Sequence, residues 1–287
     1  MIGAETRLLG LLGHPVSHSL SPVFQNAALQ HLGLPFVYLA FDVPPDNLPR
    51  AVEALKILNA RGFNVTVPHK ETVCALLDHL EREARLVGAV NTVVHENGML
   101  SGYNTDIYGF EKSLEEGGAR VEGKNVLLLG AGGVSRAVVF VLGKKNIASL
   151  FIANRTIENA HRLSRFALGL FSFPVVVLPW EQILRGEREK LPQVDILINT
   201  TTLGMHGEAI TLNWHNFSSC SLVIDVVYRR EGETPLVEEA KKYGIAGQSG
   251  KSMLLHQGAK SFELFTGKSA PLKIMQQALE EGGTHHQ

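Results

Sequence analysis

Lys70 and Asp106 are the two side chains of this sequence whose types and setting suggest proton transfer. Lys70 ends the segment NVTVPHK at residues 64–70, in which we expect residues 63–67 to form a strand and Pro68 to begin a helix. A cation in that first turn faces the positive end of the helix dipole, which disfavours its charged form and suits a general acid or base. On position alone, the alternatives are a solvated lysine and an aspartate that caps the helix following it.

A glycine-rich segment predicts a phosphate-binding turn. It follows the apolar run VLLL and precedes a helical pattern that extends through residue 145, which is the strand, turn and helix context such a turn requires. Gly130 permits a tight turn, and Gly132 lets backbone N–H groups approach a pyrophosphate at the helix N-terminus. Ser135 stands where the usual pattern has its third glycine. We expect the dinucleotide to contact Gly130, Ala131, Gly132, Gly133 and Val134.

An arginine follows the next predicted strand, at a place where NAD-binding domains usually present an acid to the ribose hydroxyls. The strand at residues 149–153 ends in Asn154, Arg155 and Thr156. Because a guanidinium can bracket a ribose 2′-phosphate and stack on adenine, Arg155 favours NADP over NAD. The alternative is that Thr156 caps the next helix and Arg155 is solvated.

The elements that must position these residues alternate between strand-like and helical patterns, which predicts an α/β protein with mostly parallel sheets. Before the glycine-rich turn, the predicted strands are residues 7–12, 36–43 and 63–67, and the predicted helices are residues 21–32, 46–60 and 71–80. Asn97 and Gly98 lie between short apolar stretches and predict a two-residue hairpin.

A helix from Asp106 to about residue 117 then leads into a nucleotide-binding half. Its predicted strands lie near Val126, Leu150 and Val175 and at residues 195–199 and 222–227. We expect the tail at residues 282–287 to be disordered.

The composition limits the classes of function. A chain of 287 residues with 45% hydrophobic content suffices for two ordinary domains, and 27 basic against 28 acidic residues leave no basic field for nucleic acid. Two cysteines without a Cys-x-x-Cys pair favour a reducing compartment. His14 and His18 lack a third ligand of matching context, so we expect no metal site. Without a long apolar run or leader, we expect a cytoplasmic protein that does not enter membranes and binds small molecules.

Short motifs along the chain occur in the order typical of one enzyme family. They are GHPVSHSLSP at 13–22, NVTVPHK at 64–70, GAVNT at 88–92, GYNTD at 102–106, NTTTLGM at 199–205, DVVY at 225–228 and GKSMLLHQ at 250–257. By these motifs the sequence closely resembles the shikimate dehydrogenases. The resemblance implies an enzyme that interconverts 3-dehydroshikimate and shikimate with NADP, in the biosynthesis of chorismate and the aromatic amino acids.

The resemblance also implies a domain organisation. Residues 1–106 would bind substrate, residues 107–249 would form a Rossmann-like NADP-binding domain, and residues 250–287 would form helices that return to the first domain. The two α/β domains would surround a cleft. The resemblance leaves open whether the protein is a monomer or a homodimer.

Individual roles follow from the same resemblance. Lys70 would exchange a proton with the substrate, and Asp106 would hold both a substrate hydroxyl and the lysine in position. The implied substrate-binding residues are Ser17, Ser19, Asn64, Thr66, Asn91, Tyr228 and Gln257. Besides the glycine-rich turn, the implied cofactor-binding residues are Asn154, Arg155, Thr156, Thr200, Thr201 and Gly250. Taken singly, any of these polar side chains is equally an ordinary buried polar residue.

Ser17 and Ser19 are assigned to the substrate carboxylate because a better helix cap stands beside them. Ser21 precedes Pro22, the pattern of an N-cap followed by proline in the first turn, which leaves the other two hydroxyls for a ligand.

The sequence departs from the family pattern in two places. Asn159 stands where NADP-preferring members commonly have a second arginine, so the phosphate clamp rests on Arg155 alone or also on Arg162. The segment after Tyr228 reads RREGE, which alters a loop and not the chemistry. The alternatives are a quinate-using or dual-specificity enzyme, an NAD-preferring paralogue and a regulator that binds ligand without turnover. The intact Lys70 and Asp106 disfavour the regulator.

Overall fold

The chain forms two compact units, Met1–Gly109 with Leu254–Gln287 and Phe110–Met253. The structure is a computed structural model that describes residues 2–186, 191–205 and 208–282. The predicted disordered tail therefore lies, except for Gly282, outside the described residues.

Strands and helices alternate through most of the described chain. The strands are β1 (Arg7–Gly13), β2 (Phe36–Asp42), β3 (Gly62–Val65), β4 (His79–Leu80), β5 (Thr92–Glu96), β6 (Met99–Tyr103), β7 (Asn125–Leu129), β8 (Ser149–Ala153), β9 (Val175–Leu178), β10 (Ile196–Asn199), β11 (Leu222–Asp225) and β12 (Ala246–Gln248). The helices are α1 (Ser21–His31), α2 (Leu48–Ile57), α3 (Arg82–Val87), α4 (Thr105–Glu116), α5 (Gly133–Lys144), α6 (Ile157–Leu170), α7 (Trp180–Arg185), α8 (Pro235–Lys242), α9 (Lys251–Thr266) and α10 (Leu272–Glu281). Short 3₁₀ helices occupy Pro45–Asn47, Thr72–Leu76 and Trp214–Phe217.

The sheet of the first unit has the order β2-β1-β3-β5-β6-β4. β1 pairs in parallel with β2 and β3, whereas β5 runs antiparallel to both β3 and β6. Asn97 and Gly98 join β5 to β6 with φ values of 51° and 77°, the left-handed backbone of a two-residue hairpin turn. The predicted hairpin is confirmed.

Residues 71–80 do not form the predicted helix. A 3₁₀ helix occupies Thr72–Leu76, and the backbone is extended at Leu77. The N–H of Asp78 donates to the carbonyl of Leu100 at 3.0 Å, and its carboxylate accepts from the N–H of Leu100 at 2.7 Å, so residues 79–80 pair with β6. Pairing with a strand distant in sequence thus overrides the local helical pattern. Lys70 lies in the turn before this 3₁₀ helix, and the helix-dipole argument made for it is wrong.

The second unit is a parallel sheet with the order β12-β11-β10-β7-β8-β9. The strand order reverses between β7 and β10, which is the doubly wound arrangement that binds nucleotides at the carboxyl ends of its central strands. Every residue of β10 is buried, as expected for a central strand of a parallel sheet. The predicted Rossmann-like fold is confirmed.

The chain passes between the units within two helices, after Gly109 in α4 and after Met253 in α9. The remainder of α9 and all of α10 belong to the first unit, where both pack against α1. Gly258 of α9 lies so close to the ring of Phe24 that a Cβ at this position would clash with it. None of the described helices is long and apolar enough to cross a membrane.

Candidate active site

Three segments of the first unit meet at one edge of its sheet. Residues 64–70 extend beyond the carboxyl end of β3, and residues 104–106 follow the carboxyl end of β6. Because β5 is antiparallel to both strands, its amino end, preceded by Asn91, lies at the same edge. The topology therefore brings Lys70, Asn91 and Asp106 together from three separate parts of the sequence.

Lys70 and Asp106 form a close ion pair. The ammonium Nζ of Lys70 donates to Oδ2 of Asp106 at 2.6 Å, and the side chains are 13% and 5% exposed. Lys70 is therefore not a solvated surface lysine, and the Asp106 carboxylate is directed at the lysine. A short, charge-assisted contact in a largely dry setting is a geometry in which a proton donor is held ready for a substrate.

The backbone around Lys70 is fixed from two sides. The buried imidazole of His69 donates from Nε2 to the carbonyl of Val43 at 2.7 Å, which joins the turn to the end of β2. The carbonyl of Lys70 accepts from the N–H of Val90 at 2.8 Å. These bonds set the position from which the lysine side chain reaches Asp106.

Asn91 supplies the second partner of the Asp106 carboxylate. Its Oδ1 accepts from the N–H of Thr105 at 2.7 Å, which fixes the orientation of the amide. Its Nδ2 consequently faces Oδ1 of Asp106 and donates to it at 2.9 Å. The same nitrogen contacts Oε1 of Gln257 at 3.3 Å, so a fourth predicted residue joins the cluster.

Asn64 adjoins this cluster through a hydrogen bond to Asn91. Its Nδ2 donates to the carbonyl of Asn91, to Oγ1 of Thr92 and to Oγ of Ser261, and its Oδ1 accepts from the hydroxyl of Tyr38 at 2.8 Å. Both amide ends thus have partners inside the first unit. A direct contact of Asn64 with substrate stays a prediction. Its observed hydrogen bond to the carbonyl of Asn91 supports the cluster.

Several members of this buried polar network were missed by sequence reasoning. They are Tyr38, Thr92, Thr105 and Ser261. Ser261 is the most informative, because its hydroxyl contacts both Thr92 at 2.8 Å and Thr105 at 3.0 Å. The one available signal was its place one helical turn after Gln257.

The predicted carboxylate-binding loop is at the same edge of the sheet. The N–H of His14 donates to the carbonyl of Val67 at 2.9 Å, which joins this loop to the segment containing Thr66, a half-buried residue. Ser17 is exposed. Ser19 is half-buried, and its Oγ accepts from the N–H of Ser21 at 3.2 Å.

Helix α1 begins at Ser21, so the prediction that Ser21 is its N-cap is wrong. The backbone N–H of Ser21 instead donates to Oγ of Ser19. The hydroxyl of Ser19 keeps its own proton for a second partner.

The backbone of the glycine-rich turn in the second unit is compatible with the predicted pyrophosphate site. Gly130 has φ of 105°, and a Cβ there would lie 2.7 Å from Oγ1 of Thr200. A Cβ on Gly132 would meet no described atom within 4 Å, so open space lies above the turn. The helix α5 begins at Gly133, followed by Val134, and its first N–H groups have no partners within the helix. Together with Ala131, these residues fit the phosphates of a dinucleotide.

Ser135 has a structural reason to replace the third glycine of the usual pattern. Its buried hydroxyl accepts from the N–H of Gly132 at 3.0 Å and lies 2.8 Å from Oγ1 of Thr200. Thr200 in turn donates to the carbonyl of Leu129 at 2.8 Å. The serine therefore joins the turn to the loop after β10.

The turn after β8 exposes Arg155. Asn154 donates from Nδ2 to the carbonyl of Thr156 at 2.7 Å, and the side chain of Thr156 makes no capping hydrogen bond with α6. Arg162 donates to Oδ1 of Asn159 at 2.8 Å. Asn159, which takes the place of the second arginine of the family pattern, therefore contacts Arg162. A 2′-phosphate contact by Arg155 stays a prediction.

Three further predicted residues, Thr201, Tyr228 and Gly250, follow the carboxyl ends of β10, β11 and β12 respectively. Thr201 donates from both its N–H and its hydroxyl to Oδ1 of Asn199. Tyr228 is half-buried in the loop after β11. A Cβ on Gly250 would clash with the carbonyl of Val226, so close backbone approach already requires glycine there.

A doubly wound nucleotide-binding unit, combined with an α/β unit that contains a largely buried Lys-Asp pair, defines a two-domain dehydrogenase. Family models match three stretches: the shikimate dehydrogenase substrate binding domain at residues 11–93, shikimate / quinate 5-dehydrogenase at 112–204 and the shikimate 5′-dehydrogenase C-terminal domain at 250–280. A shikimate dehydrogenase (NADP(+)) of Caldanaerobacter subterraneus subsp. tengcongensis is 42% identical over 93% of this chain and 94% of the relative. The chain belongs to the shikimate dehydrogenase family.

Solved structures agree with this assignment. The shikimate 5-dehydrogenase of Thermus thermophilus, solved in complex with NADP(H) and shikimate, is 36% identical with a TM-score of 0.81, covering 96% of this chain and 99% of that one. A 5-ketofructose reductase of Gluconobacter sp., in its ligand-free form, is 31% identical with a TM-score of 0.82 over 97% and 99% of the two chains. The fold thus also occurs in a reductase named for a different substrate.

Proposed function

We propose that this protein is a shikimate dehydrogenase that catalyses the reversible, NADPH-dependent reduction of 3-dehydroshikimate to shikimate. This is a step of chorismate and aromatic amino acid biosynthesis. Residues 1–106 bind the substrate and residues 107–249 bind NADP. The enzyme acts in the cytoplasm as a monomer or a homodimer.

The observation that carries this proposal is the ion pair of Lys70 and Asp106, within a chain of this family. In the direction of reduction, Lys70 donates a proton from its ammonium group to the substrate oxygen while the adjacent carbon gains a hydride. In the direction of oxidation, the neutral amine of Lys70 accepts the hydroxyl proton. Bound NADPH supplies the hydride, and NADP⁺ accepts it in reverse.

Asp106 holds the side chain of Lys70 in position. Its carboxylate lies 2.6 Å from Nζ, and it also accepts from a substrate hydroxyl in the proposed complex. Asn91 and Gln257 present amide groups beside it for the ring hydroxyls. Thr66 contributes to the same hydroxyl contacts. Ser17 and Ser19 bind the carboxylate end, and Tyr228 contributes to that end.

The NADP-binding residues divide between phosphate and adenine contacts. The N–H groups around Gly132 bind the pyrophosphate, and Arg155 binds the 2′-phosphate. Asn154, Thr156, Thr200, Thr201 and Gly250 complete the surroundings of the cofactor.

A steady-state comparison of shikimate and quinate, each with NADP⁺ and with NAD⁺, tests the proposal. We expect the highest kcat/KM with shikimate and NADP⁺. Comparable efficiency with quinate would assign a dual-specificity enzyme, and preference for NAD⁺ would assign an NAD-dependent one. Ligand binding without turnover by any of the four pairs would contradict the enzymatic assignment.

A further inference from the structure

We propose that Asp225 is a positioning residue that joins the loop predicted to contact the cofactor to the loop that contains Tyr228. The first loop, residues 199–205, is called the cofactor loop, and the second, residues 226–234, is called the Tyr228 loop. The inference rests on the proposed function, since it assigns a role to a residue that neither touches the reacting atoms nor belongs to the predicted site.

One carboxylate holds both loops of the second unit. Asp225 ends β11 and its side chain is fully buried. Its Oδ1 accepts from Nδ2 of Asn199 at 2.9 Å and from the N–H of Val227 at 3.0 Å, and its Oδ2 accepts from the hydroxyl of Thr234 at 2.6 Å. The carboxylate is thus bonded to the start of the cofactor loop and to both ends of the Tyr228 loop.

The contact with Asn199 continues into the cofactor loop. Because Nδ2 of Asn199 donates to Asp225 and to the carbonyl of Leu203, its Oδ1 must face the other way. That oxygen accepts from the N–H of Thr201 at 3.0 Å and from its hydroxyl at 2.7 Å. The orientation of Thr201 therefore depends on the orientation of Asn199, which Asp225 fixes.

Burying the carboxylate of Asp225 costs free energy that burying an apolar side chain would not. Burial raises the pKa of the Asp225 carboxyl to about 6, against the hydrogen bonds from Thr234, Val227 and Asn199, which lower it. Burying such a group disfavours folding unless its oxygens are bonded, and the bonds it makes lead only to the two loops. The site of Asp225 is thus better suited to fixing geometry than to adding stability.

Three variants isolate this role. Thr234→Val removes the donor to Oδ2 at nearly constant volume, Thr234→Ser retains it, and Asp225→Asn removes the charge. We expect Thr234→Val and Asp225→Asn to raise the Kd for NADPH, measured by fluorescence titration, by about tenfold or more, as for loss of a bond to a charged group. Thr234→Ser should stay within about threefold of the wild type.

A matched control lies at the opposite, amino edge of the same sheet. The hydroxyl of Ser149 donates to Oδ1 of Asn125 at 2.7 Å, so Ser149→Ala removes a comparable side-chain bond. It should lower the unfolding temperature without changing the NADPH Kd. If Thr234→Val also lowers only the unfolding temperature, the positioning role is wrong, even where Asp225→Asn fails to fold.

The coupling has its own test. Thr201→Val and Thr234→Val act on the same chain of bonds, so together they should raise the NADPH Kd by less than the product of the single effects. Independent, multiplying effects would overturn the inference. Since these readouts are binding constants for NADPH, they remain decisive even if the enzyme proves inactive on shikimate.

Discussion

Asn91 donates a hydrogen bond at 2.9 Å to the oxygen of Asp106 that Lys70 does not contact. The two carboxylate oxygens are therefore divided between an amide and an ammonium group. Because the N–H of Thr105 fixes the direction of the amide, Asn91 cannot turn its oxygen toward the carboxylate without losing that bond. The arrangement holds the carboxylate plane in one orientation relative to Lys70.

Asn91→Ala should therefore reduce turnover as well as substrate affinity. We expect kcat to fall by about tenfold, from loss of one hydrogen bond to a charged group, with a rise in KM for shikimate. Asn26→Ala serves as the control. Its half-buried amide joins α1 to β2 through the backbone of Tyr38, so its loss should affect only stability. An unchanged kcat in Asn91→Ala would show that the amide does not orient Asp106.

Arg155→Ala should weaken the binding of NADP much more than that of NAD. A bond between a guanidinium and the 2′-phosphate implies a loss of about ten- to a hundredfold in the NADP preference. Titration with both cofactors measures it. Arg162→Ala shows whether the second arginine contributes, and Arg165→Ala, exposed on the same helix, is the control. An equal loss for both cofactors would place Arg155 against the adenine or the loop instead.

Ser17→Ala and Ser19→Ala should raise the KM for shikimate more than they lower kcat, because these hydroxyls are proposed to bind the carboxylate. Ser19→Ala should also lower the unfolding temperature, since it removes the acceptor for the N–H of Ser21. The unmodified enzyme should favour shikimate over quinate, whose extra hydroxyl clashes with the serines or lacks a partner. Similar efficiency with both acids would defeat this assignment.

Asp225 should make the second unit less stable as the pH rises. Its pKa is raised from 3.8 to about 6, so the folded state retains the proton over a range in which the unfolded state has lost it. The contribution of Asp225 to the free energy of unfolding is therefore fully present below about pH 4. It is lost as the pH rises through 6, and the free energy of unfolding falls by up to about 3 kcal/mol. Denaturant unfolding from pH 4.5 to 7 should reveal this loss, and Asp225→Asn should remove its contribution. The same slope in both proteins would contradict the assignment.

The predictable parts of the fold are those determined by residues close together in the sequence. The Asn97-Gly98 turn depends on two residues that adopt positive φ, so the sequence contains the whole signal. The glycine-rich turn and its neighbouring strand and helix are similarly local. Residues 71–80 could not be predicted in this way. Asp78 pairs with Leu100, which lies on a strand distant in sequence, and this pairing prevents the helix that the local pattern favours.

The site was predictable where motifs carry reactive types and was missed where ordinary hydroxyls support them. Lys70 and Asp106 stand in recognisable segments. Ser261 lies outside every motif, and it reaches Thr92 and Thr105 only because α9 packs into the first unit. Serine and threonine occur throughout the chain, so their types alone could not select these three.

The pairing of Lys70 with Asp106 is tested most directly by a double-mutant cycle on kcat for shikimate oxidation with NADP⁺. Lys70→Ala should lower kcat by about 10² to 10⁴ while shikimate still binds, and Asp106→Asn should also lose turnover heavily. Because the two groups act as a unit, the double variant should lose far less than the product of the single losses. Turnover of Lys70→Ala within a few-fold of the wild type, or losses that multiply, would contradict the account.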